Sequence, residues 1–229
     1  MEGIYLMINI IYEDNHLLVV EKPINIPVQE DSSGDLDFLT MIKDFIKKRD
    51  NKPGNAYLGL VHRLDRPVGG IMVFAKTSKC ASRLSEQVRN RSFNKTYYAV
   101  VEGKIDSKGK FKDRLLKDTK KNIVRVDSIG KEAVLEYELI SYKNNLSLVK
   151  INLKTGRSHQ IRVQFSYHRF PLYGDQKYNK NSKPKEQIDL FASSISFKHP
   201  ISKEVVSFTL KIPNKYPWNL FNFDNTIYK

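Results

Sequence analysis

Apolar residues recur along the chain in two rhythms. Residues 17–20, Leu-Leu-Val-Val, form a continuous run closed by Lys22-Pro23, which predicts a buried strand ending in a loop. Residues 71–75 predict a central strand in the same way. Between them the period lengthens. Over 36–49, Leu36, Leu39, Ile42, Phe45 and Ile46 step by three and four, predicting a helix capped by Asp35 or Asp37. Lys47, Lys48 and Arg49 suit its C-terminal end, and Asp50-Asn51-Lys52-Pro53-Gly54 stops it. A second helix is predicted over 78–91, where Ala81, Leu84 and Val88 make one stripe. Alternation returns over 95–101, with Tyr97, Ala99 and Val101 on one face and Tyr98 and Val100 on the other. Further strands are predicted at 133–140, 146–153, 192–197 and 204–211, and a short helix at 158–168 behind the Thr155-Gly156 turn. No repeat, low-complexity tract or dividing linker interrupts this succession. It predicts one α+β domain, residues 1–229, around a mixed, mostly antiparallel β-sheet.

Charge narrows the class of partner. The 229 residues carry 39 Lys+Arg against 25 Asp+Glu, a formal net charge of +14. Such a surplus favours a polyanion, nucleic acid first, because each phosphate neutralised releases counterions. It is clustered: residues 104–131 hold ten Lys/Arg against four Asp, and 177–185 hold Lys177, Lys180, Lys183 and Lys185 with no acid. Lys110, Lys112 and Lys117 are the expected phosphate contacts of the first cluster, the alternative being solvated loop charge.

Other classes drop out. The longest uncharged stretch, from Gly3 to Tyr12, is ten residues, half of the roughly 20 that a membrane helix needs. Glu2 stands where a signal peptide would carry cations, so a cytoplasmic protein without membrane attachment is expected. The single Cys80 excludes an intramolecular disulfide and a thiolate cluster, and the five histidines lack ligand spacing, which argues against a structural metal.

Three short clusters carry candidate chemistry. In Val61-His62-Arg63-Leu64-Asp65-Arg66-Pro67-Val68-Gly69-Gly70 a carboxylate sits between two arginines ahead of a turn, which favours its ionised form. Pro67 and the glycine pair suit a contorted loop open to close approach, although local ion pairs on a surface loop fit the same residues. In Lys154-Thr155-Gly156-Arg157-Ser158-His159-Gln160-Ile161-Arg162, a glycine turn leads into a helix N-terminus that offers N–H groups to an anion, with Arg157 and Arg162 adding charge. A helix from Ser158 puts His159 and Arg162 on one face; a capped helix with a solvent-facing arginine is the plainer alternative. Tyr97, in Lys95-Thr96-Tyr97-Tyr98-Ala99, is a core strand residue or a platform for an unstacked base.

Taken in order, these clusters resemble the pseudouridine synthases of the RluA family. His62-Arg63-Leu64-Asp65 is identical to the family's signature tetrapeptide, and Lys95-Thr96-Tyr97-Tyr98-Ala99 is similar to its tyrosine motif. Residues 155–163, continuing into Phe170-Pro171-Leu172 and Gly174-Asp175, resemble its third motif. The likeness runs over about residues 10–213, including Tyr12-Glu13-Asp14, Lys22-Pro23 and Phe197-Lys198-His199-Pro200. Departures are Val68-Gly69-Gly70 where the signature usually continues Thr-Ser-Gly, Gln164 where a His is common, and Phe191 for another His. An S4 domain, present in many relatives, is not expected ahead of this sequence.

The resemblance implies the pseudouridine synthase catalytic fold and isomerisation of uridine in ribosomal or transfer RNA to pseudouridine, with no cofactor and no metal. It implies Asp65 as the essential carboxylate, nucleophile or base, and Arg162 as the cation that pairs with it. Tyr97 would stack on the uracil, and Arg63 would fill the gap left by a flipped nucleotide. His62 is expected to shape the loop; it, Arg157 and His159 complete the expected RNA contacts of a monomer. Two rivals compete: a non-catalytic RNA-binding or ribosome-assembly protein on the same fold, and a metal-dependent nuclease built on Asp65 and His62, for which no further carboxylates accompany Asp65.

Overall fold

The computed structural model describes residues 8–51, 54 and 56–221, so the Lys52-Pro53 part of the expected helix stop lies outside the described residues. Along the chain the elements are β1 (Asn9–Glu13), β2 (Leu17–Lys22), α1 (Phe38–Arg49), β3 (Gly59–Leu60), β4 (Gly69–Ala75), α2 (Ser78–Arg89) and β5 (Asn94–Glu102). There follow β6 (Lys108–Asp118), β7 (Ile123–Val126), β8 (Lys131–Lys143), β9 (Leu146–Leu153), α3 (Gln160–Tyr167), β10 (Leu190–Lys198) and β11 (Val205–Thr209). They form two compact units: residues 1–93 with 194–210, and residues 94–193 with 211–229.

In the first unit β1, β2 and β4 pair antiparallel in that order, β3 pairs with β4, and β10 lies next to β4 and carries β11. Leu17 to Val20 and all of β4 are buried because both faces of these strands are covered. On one face Leu17, Val19, Ile71, Val73 and Ala75 meet Cys80 and Leu84 of α2. On the other, Phe74 meets Phe38 of α1, ring centroids 6.2 Å apart. Burying each such side chain contributes about 1.5–3 kcal/mol. The α1 helix starts at Phe38 because the Asp37 carboxylate caps it, accepting from the Thr40 amide at 3.0 Å and the Thr40 hydroxyl at 2.7 Å. Leu36, expected in its stripe, stays outside and exposed. The second helix ends at Arg89 rather than 91, because Arg91 turns left-handed at φ 59°.

In the second unit the antiparallel order is β5-β9-β8-β6-β7, with residues 190–193 of β10 beside β5. Strands β6 and β7 occupy the basic stretch 104–131, where the apolar pattern predicted no strand. Their inward positions are Phe111, Leu115 and Val124, while the lysines alternate outward. Helix α3 packs Val163 against Leu115, Val124 and Ala133, and Phe165 against the rings of Phe111 and Tyr137 at 5.1 and 5.7 Å. It begins at Gln160, not Ser158, because His159 is left-handed at φ 50°. Its residues from Gln160 to Phe165 are all buried, so Arg162 is no solvent-facing arginine.

Candidate active site

The loop that carries Asp65 is tied down from beneath by a lysine. Lys22, at the end of β2, is fully buried, and its ammonium donates to the carbonyls of Pro23 (2.8 Å), Arg66 (3.1 Å) and Val68 (2.9 Å). Burial pushes the Lys22 ammonium down to about 7; the charge of Asp65 opposes that fall and Arg66 adds to it. The chain turns tightly here, the Val68 amide donating to the Asp65 carbonyl at 2.9 Å. Gly70 follows at φ 126°, a conformation that side chains resist. The side chain of Asp65 is half-buried, its neighbour Leu64 plugs the core, and Arg63 and Arg66 point outward. Arg66 is held by Ser33, Asp35 and the Asn25 carbonyl, and Arg63 reaches Gln29 at 3.1 Å.

His62, three residues before Asp65, is buried against the neighbouring strand. Its Nε2 accepts the Val73 amide of β4 at 3.1 Å, and its ring lies 5.3 Å from that of Phe93. With its Nε2 lone pair held by a backbone N–H, the neutral ring carries its proton on Nδ1.

In the second unit β5 presents Tyr97, buried and opposite Ile151 of β9. Arg162 in α3 is 5% exposed and makes a two-pronged bond to Asp175, Nε to Oδ2 at 2.9 Å and Nη2 to Oδ1 at 2.7 Å. Its guanidinium lies 5.2 Å from the ring centre of Tyr178. The Tyr178 hydroxyl accepts the Val124 amide at 2.9 Å and meets Nδ1 of His159 at 2.6 Å. Asp175 and Tyr178 were beyond local reading: they stand 13 and 16 positions after Arg162, and the only signal was the Gly174-Asp175 pair.

Gln160, the first residue of α3, ties the turn ahead of the helix together. Oε1 of Gln160 accepts from the Thr155 hydroxyl at 2.8 Å and the Arg157 amide at 3.0 Å, while Nε of Arg157 donates to the Glu132 carbonyl at 2.9 Å. Gln160 passes the chain on to Gln164, which is fully buried and donates to Asp113 at 2.6 Å and to the Ala133 carbonyl at 3.2 Å. Asp113 also meets His168 at 3.1 Å, whose ring stacks on Phe111 with centroids 4.0 Å apart. Gln164, the departure from the motif, therefore links a buried polar network.

The lysines of β6 face glutamates of β8. Lys110 lies 3.8 Å from Glu136 and Lys112 lies 3.9 Å from Glu132, while Lys117 is exposed near the strand's end. The glutamates lie just past the stretch whose surplus the sequence displays, so that surplus is partly offset. Among the described residues no group of three or more His, Cys, Asp or Glu is placed to hold a metal, and no helix is long and apolar enough to cross a membrane.

Residues 16–167 match the family model described as RNA pseudouridylate synthase. The chain is 33% identical over 214 residues to the ribosomal large subunit pseudouridine synthase C of Buchnera aphidicola, an alignment covering 87% of this chain and 65% of that protein. It is 32% identical over 222 residues to the ribosomal large subunit pseudouridine synthase D of Zymomonas mobilis, covering 90% and 69%. The chain thus spans about two thirds of the length of these curated relatives. The solved structure of human RNA pseudouridylate synthase domain containing 4 superposes with a TM-score of 0.75 at 23% identity, covering 90% of this chain and 88% of that one. That likeness shows the fold.

Proposed function

Because the chain belongs to the RNA pseudouridylate synthase family, we propose that it isomerises uridine in RNA to pseudouridine, the large-subunit ribosomal RNA being the substrate that its relatives' names favour. The observation that carries this reading is the anchored Asp65 loop: a half-buried carboxylate on a turn fixed by a buried ammonium, within the matched residues 16–167. A catalytic carboxylate needs such fixed orientation.

The reaction breaks the bond from N1 of uracil to the ribose, turns the base, and joins C5 to the same sugar carbon. C5 releases its proton and N1 gains one, so substrate and product are isomers and no cofactor or metal is called for. In this account Asp65 is the catalytic carboxylate, either adding to the sugar carbon or removing a sugar proton, and both routes use its ionised form. Tyr97 packs against the uracil. Arg162, oriented by Asp175, supplies the positive charge of the site. Arg63 replaces the flipped base, and Arg157, His159, Lys110, Lys112 and Lys117 line the RNA. The protein acts in the cytoplasm as a monomer in this reading. Transcribed ribosomal RNA labelled with tritium at C5 of uridine tests it: an isomerase releases tritium to water, whereas a passive RNA-binding protein releases none.

A further inference from the structure

Lys95 lies on β5 two residues before Tyr97, and strand alternation puts both side chains on one face. Its side chain is largely buried, and desolvation alone pushes its ammonium below the usual lysine value, with no carboxylate opposing. Among the described residues nothing accepts a hydrogen bond from that ammonium or pairs with it. The contrast with the other buried cations is direct. Lys22 has three carbonyls and Arg162 has Asp175, whereas Lys95 has neither kind of partner.

The ammonium ends against the turn Thr155-Gly156-Arg157. A Cβ built on Gly156 would lie 3.2 Å from Nζ of Lys95, so the missing side chain is what lets the cation come up to this exposed turn. Two of the turn's polar groups are already engaged: the Thr155 hydroxyl accepts the Val134 amide at 2.8 Å, and the Arg157 amide goes to Gln160. What remains is a cation without counter-charge, on the Tyr97 face of the strand, beside the exposed backbone of Gly156. Burying a charge unpaired opposes folding, so its place here needs a reason outside the free protein.

We propose that Lys95 binds a backbone phosphate of the RNA at the target nucleotide. The inference rests on the RNA-isomerase reading above: a nucleotide whose base meets Tyr97 carries its phosphate within a few ångströms, and a phosphodiester is the anion that every RNA brings. Lys95 is thus an RNA-binding residue for the reaction, separate in role from Asp65, Tyr97 and Arg162, to which the proposed chemistry falls.

The test compares wild type, Lys95→Met and Lys95→Arg on transcribed large-subunit ribosomal RNA, by binding at several salt concentrations and by tritium release. Lys95→Met should lower the salt slope of binding by about 0.7–0.9. Its KM should rise several-fold with kcat within twofold, and its thermal midpoint should stay the same or rise. Lys95→Arg should restore the slope. A slope equal to wild type, or a fall in kcat alone, overturns the inference while leaving the enzyme reading intact. A lowered midpoint whose affinity loss Lys95→Arg does not rescue also overturns it, as a structural role. Wild-type protein that releases no tritium overturns the reading beneath, and the inference with it.

Discussion

The Lys22 ammonium and the Val68 carbonyl lie 2.9 Å apart across 46 positions of sequence, in the buried floor of the loop that carries Asp65. Two further carbonyls, of Pro23 and Arg66, complete the shell of that ammonium. The strand end and the Asp65 turn are therefore one hydrogen-bonded unit, and the lysine holds backbone.

Lys22→Met should remove three charge-assisted hydrogen bonds and leave buried carbonyls unpaired, costing about 3 kcal/mol of stability. Activity should fall with it, because the turn from Asp65 to Val68 loses its anchor. Urea midpoints and tritium release measured on one preparation check this; a variant with wild-type values in both contradicts the anchoring role.

Asp175→Asn should strand the Arg162 guanidinium, 5% exposed, with half its counter-charge gone, at a cost of about 3 kcal/mol. Arg162→Lys keeps the charge but loses the fork that grips both carboxylate oxygens, so kcat should drop even where folding is preserved. Circular dichroism melting alongside steady-state kinetics separates the two effects. An Arg162→Lys enzyme with wild-type kcat would show that the fork is dispensable.

Burial pushes the Asp189 carboxyl up to about 7, against the opposing pull of the Trp218 indole and Lys215. Its unfolded value is about 3.8, so between roughly pH 4 and 7 the folded chain binds the extra proton. Stability from this group is therefore fully present below pH 4 and declines as pH rises to about 7. Asp189→Asn should flatten that part of the profile, read as denaturation midpoints at pH 4, 5, 6 and 7. An unchanged slope would mean that the carboxyl is ionised throughout.

Glu13 has the opposite sign. The bond to Arg49, with Lys76 adding, holds its carboxyl down at about 2, so its contribution is present above about pH 4.5 and lost as pH falls toward 2. Glu13→Gln should lower the midpoint at pH 7 and leave it nearly unchanged at pH 2. An equal loss at both values would assign the effect to packing rather than charge.

The central strands of the first unit were legible because covered faces demand apolar residues at every position, and Leu17 to Val20 and Ile71 to Ala75 show that run unbroken. The helices were legible to within two residues, and their ends moved where a single backbone angle decides, as at Arg91 and His159. Strands β6 and β7 were hidden because their outer faces are so rich in lysine and arginine that charge masked the alternation of Phe111 and Leu115. The site was legible where its residues are adjacent, in His62-Arg63-Leu64-Asp65, and not where a partner is supplied from a distance. Lys22 before a proline reads as the end of a strand until the fold brings Val68 over it. Asp175 likewise gains its meaning from Arg162 only once α3 is buried.

In the proposed function the Asp65 carboxylate is essential to the isomerisation of uridine in cellular RNA. Carbodiimide mapping of pseudouridine in total RNA tests it most directly, using a deletion strain complemented with wild type or with Asp65→Asn. Specific uridines, in large-subunit ribosomal RNA, should lose modification on deletion and regain it with wild type alone. Restoration by Asp65→Asn, or a modification pattern that the deletion leaves unaltered, would contradict it.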